Sequence, residues 1–182
     1  MDKRPFAQSP TFKLRFPESS IPEWAAKYNY SPSATDAHLI SEVRPATLER
    51  GYLTGEEFRE ICKWKTRRSQ SKCATNDEQA VRTITKAAFA TSDEALKMDL
   101  LRVLHGVEWP TASTLLHFGD ARPYPILDYR ALWSLGFPKA PHYTTEFWLV
   151  YLGYTRGLAD RLRVHIRTVD RALWQYSKVK QR

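Results

Sequence analysis

The sequence predicts an all-α protein, a compact multi-helix domain with an extended N-terminal arm. Three observations carry this expectation. Apolar residues recur at three- and four-residue intervals through most of the 182 residues, the period of a helix with one buried face. Ser, Thr, Asp or Asn opens several of those runs, twice with Glu three residues later, the signature of a capping box. The only alternation of the strand type is a weak one at Phe12, Leu14 and Phe16.

Six of the eleven prolines fall in the first 45 residues, so 1–22 reads as the arm and 23–182 as a single helical domain. Helices are expected at about 22–29 and 34–44. Thr54 and Glu57 form a capping box that opens a helix ending near Arg68. Asn76 caps a run through Val81 and Ile84. A second box, Thr91 with Glu94, starts a helix through Leu96, Leu100 and Leu104. His105 to Trp109 breaks it, and Pro110 favours the first turn of the next helix. Gly119 to Pro125 is a loop, after which Asp128 or Leu127 opens a helix ending at Gly136. Helices at about 144–153, 155–163 and 166–178 complete the chain.

The formal net charge is +8, and it is segregated. Residues 59–72 hold six basic side chains and one acidic; residues 150–182 hold eight and two; the rest of the chain is net negative. Two basic segments on such a body suggest a polyanion partner, nucleic acid first, with solvated helix faces as the plainer reading. The segments are expected to wall one cleft. No run of apolar residues is long enough to span a bilayer, and Met1 to Phe16 lacks the apolar stretch of a secretory leader. No membrane partner is expected, and a monomer is. Two cysteines, Cys62 and Cys73, cannot furnish a disulfide scaffold or a four-cysteine metal cluster. The five histidines show no zinc spacing.

The segment 92–118 reads as two helices joined by a tight turn at Gly106. Such a turn presents backbone N–H groups and a helix N-terminus to an anion. The loop 119–128 then delivers Tyr124-Pro125-Ile126-Leu127-Asp128. This hairpin, its Gly/Pro-rich loop and the following aspartate resemble the helix–hairpin–helix Gly/Pro-Asp (HhH-GPD) superfamily of DNA glycosylases. The nearest motifs are those of endonuclease III and the adenine-mismatch glycosylase.

That resemblance implies double-stranded DNA as partner and base excision repair as context. It also implies a hydrolase in which Asp128 stabilises an oxocarbenium-like sugar and positions water after the base has flipped out. Asp128 can equally be read as a plain helix cap. Pro110 stands where bifunctional members carry a lysine, which implies a monofunctional enzyme without lyase activity. Glu108 replaces the second hairpin glycine, and the iron–sulfur cysteines are absent. No cofactor is then required, and a monovalent or divalent cation at the hairpin is compatible with the pattern. The implied location is cytoplasmic, or nucleoid or nuclear with the DNA.

Lys63-Trp64-Lys65-Thr66-Arg67-Arg68 interleaves an aromatic ring with cations. Trp64 can stack on a base while Lys65 and Arg68, placed on one helix face, meet phosphates. Trp109, Tyr129 and Trp133 flank the hairpin–aspartate motif as further base-pocket candidates, with core packing as the alternative. Residues 155–173 also match a helix–turn–helix pattern in which Arg167, Thr168 and Arg171 would face a major groove. The same residues can instead close the helical domain and leave Arg171 beside the cleft. A non-catalytic DNA-binding protein is therefore the alternative to an enzyme.

Overall fold

The computed structural model describes residues 10–30 and 33–181, and every regular element among them is helical. The arm before Pro10 lies outside the described residues. From there on its alternation acts as expected. Phe12 and Phe16 are buried, Lys13 and Arg15 are exposed or half-exposed, and the backbone runs along the body. The Lys13 and Arg15 amides donate to the carbonyls of Leu135 (3.0 Å) and Ser134 (2.9 Å). Phe12 packs among Phe137, Phe147, Tyr151 and Tyr154 at centroid distances of 5.3–5.8 Å.

A 3-10 turn, Glu18–Ser20, leads into α1 (Ile21–Ala26). The second helix does not stop at 44 as expected. α2 (Ser33–His38) widens into a π-type turn, Leu39–Val43, and continues as α3 (Arg44–Arg50). Pro45 has no N–H to give the preceding turn and its ring crowds that turn's carbonyl. A local π turn relieves both demands without ending the helix. Gly51, at φ 78°, then terminates it in the left-handed conformation.

The Thr54–Glu57 box is formed as read and opens α4 (Gly55–Lys65). This helix stops at Lys65 because Thr66 turns to extended backbone, so Arg68 does not share its face. A short α5 (Gln70–Cys73) follows. α6 (Glu78–Ala90) and α7 (Glu94–Leu101) are capped by Asp77 and Asp93, not by Asn76 and Thr91. Asn76 is used elsewhere: its side chain accepts from the His105 amide at 2.8 Å and donates to the His105 carbonyl at 2.9 Å. It ties the hairpin turn to the rest of the chain.

α8 (Trp109–Gly119) carries Pro110 in its first turn, and Asp128 caps α9 (Tyr129–Ser134). The helices expected at 144–153 and 155–163 are one, α10 (Thr145–Leu162). Its buried residues Phe147, Trp148, Tyr151, Leu152, Thr155, Leu158 and Ala159 form a continuous stripe that Gly153 and Gly157 do not interrupt. Arg163, at φ 52°, turns the chain into α11 (Ile166–Lys180). α11 packs on α1, α9 and α10, while α8 packs on α4 and α7. Lys97 is fully buried in α7, ion-paired with Asp120 and donating to the carbonyls of Ala88 and Phe89. That pair fixes where the loop leaves α8.

Candidate active site

The loop between α8 and α9 is not a surface loop. Tyr124, Pro125, Ile126 and Leu127 are all buried, and buried backbone must find partners. Side chains from four helices supply them. Ser113 of α8 accepts from the Leu127 amide at 2.9 Å, and Tyr151 of α10 donates to the Ile126 carbonyl at 3.0 Å. Asp170 of α11 accepts from the Ile126 amide at 3.1 Å. His117 Nδ1 lies 2.7 Å from the Tyr124 carbonyl, which only accepts, so the proton sits on Nδ1. Lys65, the last residue of α4, donates to the Leu127 carbonyl at 3.0 Å. Asp128 is thus delivered to one place by a rigid strap.

Asp128 does two jobs with two oxygens. Oδ1 accepts from the Arg130 amide at 2.9 Å and caps α9. Oδ2 accepts from Lys65 Nζ at 2.9 Å. Burial works against the carboxylate, but the Lys65 ammonium and the Arg130 amide outweigh it and hold Asp128 below the usual carboxylate range. It is an ionised group with side-chain exposure of 23%, enough to be reached.

Asp128 opens into a cavity of about 50 Å³ walled by aromatic rings: Tyr28, Tyr30, Trp64 and Trp174. Tyr30 stands edge-on to Trp64 and Trp174, at 5.5 and 5.3 Å between centroids. The Arg167 guanidinium lies over both Trp64 and Tyr28, at 5.4 and 5.3 Å. Burial pushes the Tyr28 hydroxyl up to about 12.

A second carboxylate faces the same cavity. Asp170 is 5% exposed, and its Oδ2 has no hydrogen-bond partner, lying 3.6 Å from His117 Nδ1. Burial raises Asp170 to about 7, even against the charge of Arg167 and the Ile126 amide. His117 gives no charge in return, because burial and the neighbouring Arg167 push its pKa well down. One carboxyl is therefore held ionised and the other is raised to about 7, and both line one cavity.

No family model, curated sequence or solved structure matches this chain.

The cavity brings together Trp64, Lys65, Asp128 and Arg167 from the residues singled out in the sequence. The others lie outside it, Arg171 and Thr168 among them. Arg68 is exposed beyond the end of α4. Trp109 is packed into the hairpin, 7% exposed, with Arg102 stacked over it at 4.2 Å. Tyr129 is 53% exposed beside Arg130, and Trp133 is covered by Arg15 at 4.5 Å. Gly106 takes φ 78°, and a Cβ there would lie 2.9 Å from the backbone nitrogen and sulfur of Cys73. Its need is a tight turn packed on α5.

The groove-facing arrangement of Arg167 and Arg171 is not what the fold presents. Arg167 is buried and donates to Asp36 at 2.6 Å; Arg171 donates to the other Asp36 oxygen at 3.0 Å. The two basic segments meet at Asp128 only through Lys65 and Arg167. Arg156 and Arg161 are paired elsewhere, on Glu94 and Glu18. Among the described residues no three His, Cys, Asp or Glu gather as a metal site, and no helix is long and apolar enough to cross a membrane.

Sequence reasoning missed Asp170, Asp36, Tyr28, Tyr30 and Trp174. An aspartate inside a helix beside an arginine reads as solvated surface, and only packing against the 124–127 strap buries it. Tyr28 and Tyr30 follow α1 in irregular chain, where no periodicity marks a side.

Proposed function

We propose that this protein is a monofunctional DNA glycosylase that hydrolyses the N-glycosidic bond of an altered or mismatched base in duplex DNA. The observation that carries the reading is the pair of unlike carboxyls in one aromatic cavity. As a base departs, positive charge develops at the anomeric carbon. The ionised Asp128, preorganised by Lys65 and the Arg130 amide, offsets that charge and orients the attacking water. Asp170, which lines the cavity and holds a proton up to about pH 7, hydrogen-bonds or protonates the leaving base. The rings of Tyr28, Tyr30, Trp64 and Trp174 hold a flipped base by stacking.

Lys65 is the primary amine nearest the chemistry, but its nitrogen donates to the Leu127 carbonyl and to Asp128. With Pro110 where a lyase lysine would stand, the abasic product stays intact. The test is a panel of duplexes with damaged or mismatched bases, each incubated with protein and then treated with alkali. Strand breaks appear only after alkali, and Asp128→Asn abolishes them while still binding the duplex. Borohydride yields no protein–DNA adduct; an adduct on Lys65 would overturn the monofunctional assignment. Duplex binding with no base released from any member of a broad panel would favour a non-catalytic DNA-binding protein.

A further inference from the structure

A second cavity, of about 340 Å³, lies on the other side of Arg167, between α3, the end of α8 and the start of α11. Its wall carries four arginines, Arg44, Arg122, Arg167 and Arg171, together with His117 and His165, and no carboxylate. The acids paired with these cations are not part of the lining and are shared. Asp36 serves both Arg167 and Arg171, and Asp120 serves both Arg122 and Lys97. Arg44 is bonded to backbone instead, to the carbonyls of His117 (2.7 Å) and Asp120 (3.0 Å). The Nε atoms of Arg167 and Arg171 are buried without a partner, and Arg167 is only 8% exposed. The fifteen-residue α11 starts at the same space; its His165 cap takes the Arg167 amide at 3.1 Å and the His165 carbonyl takes the Thr168 amide at 2.8 Å, and Thr168 lines the cavity in the first turn.

We propose that this arginine-walled cavity at the start of α11 is a phosphate-binding site, taking a phosphate group together with part of the molecule that bears it. Forked guanidiniums and a hydroxyl match a tetrahedral oxyanion with several acceptor oxygens. The volume exceeds what a lone phosphate needs, which leaves room for a sugar or a second phosphate. The site stands independently of the glycosylase reading, since nothing in it requires base excision.

His165 reports on the site. Burial first, then the charges of Arg44, Arg167 and Arg171, depress its pKa. A bound phosphate offsets the three guanidiniums, so its pKa rises towards the usual histidine value and binding takes up protons. The experiment follows the His165 ring and the amides of residues 165–168 by NMR. Three probes are titrated separately: inorganic pyrophosphate, a nucleoside monophosphate and an undamaged duplex. Either small phosphate, or only the duplex, should shift these signals and raise the His165 pKa; the pattern tells a free phosphate ligand from a DNA-borne one. Thr168→Glu puts a carboxylate at the mouth without removing an ion pair, and should weaken binding about tenfold or more. Arg171→Gln should weaken it too. No shift at His165 with any of the three probes, or equal affinity in Thr168→Glu, would overturn the proposal.

Discussion

Two cavities meet at Arg167, and they are built on opposite electrostatic plans. The one at Asp128 is small and aromatic, and its cations and carboxyls are interleaved: Lys65 on Asp128, Arg167 near Asp170. The one at Arg44 is several times larger and lined by cations alone. The difference shows how one buried guanidinium can serve two purposes. Towards Asp128 its face stacks on rings and moderates a protonated carboxyl. Towards α11 it adds to a positive wall. A cavity with balanced charges tunes protonation states, whereas one with unbalanced charges collects an anion.

The sharpest way to break this comparison is Asp128→Asn. It keeps an oxygen for the α9 cap but removes the charge, and base release should fall by about a thousandfold or more. Duplex affinity, measured by fluorescence anisotropy, should stay near wild type. A fall in both together would mean that Asp128 organises the fold rather than the reaction.

Asp170→Asn should cost about a hundredfold. It should also change the pH profile. The folded-state pKa is raised, so the proton is present below about 7 and lost as pH climbs through it. Wild-type activity should therefore fall above neutrality, and the variant's residual activity should lack that limb. The same shift enters stability: the folded state holds this proton where the unfolded chain has released it. Denaturant midpoints of the wild type should decline from acid towards neutral pH more than those of Asp170→Asn.

Trp174→Ala should weaken binding to a duplex carrying an excisable base about tenfold, with little change for an undamaged one. Equal losses on both would move Trp174 from the base pocket to general packing. The smallest effect concerns the hairpin. Gly106→Ala puts a Cβ against Cys73 at positive φ, and should cost about 1–3 kcal/mol in unfolding experiments. It should leave the Asp128 cavity untouched.

The helical class and many boundaries were legible because they rest on local rules. Thr54 with Glu57, Pro110 in a first turn and Asp128 ahead of α9 are decided within a few residues. The breaks that local rules invented, after Arg44 and near residue 154, vanish where a π turn accommodates Pro45 and a buried stripe overrides Gly153 and Gly157. At the site, Asp128, Lys65 and Trp64 were legible because motif and charge mark them. Asp170 was not, because its burial comes from a strap 44 residues away in sequence. Arg167 and Arg171 were singled out with Thr168 for a groove, yet Asp36 draws both guanidiniums inward. The same trio instead lines the cationic cavity.

The most direct test of the central claim needs no knowledge of which base is excised. The duplex to use carries a cationic pyrrolidine nucleotide, which mimics the oxocarbenium-like sugar; its affinity is compared with that of a duplex bearing a neutral tetrahydrofuran abasic nucleotide. If Asp128 stabilises developing positive charge, the wild type should prefer the cationic duplex by about a hundredfold, and Asp128→Asn should lose that preference. Equal affinity of the wild type for the two duplexes would contradict the account.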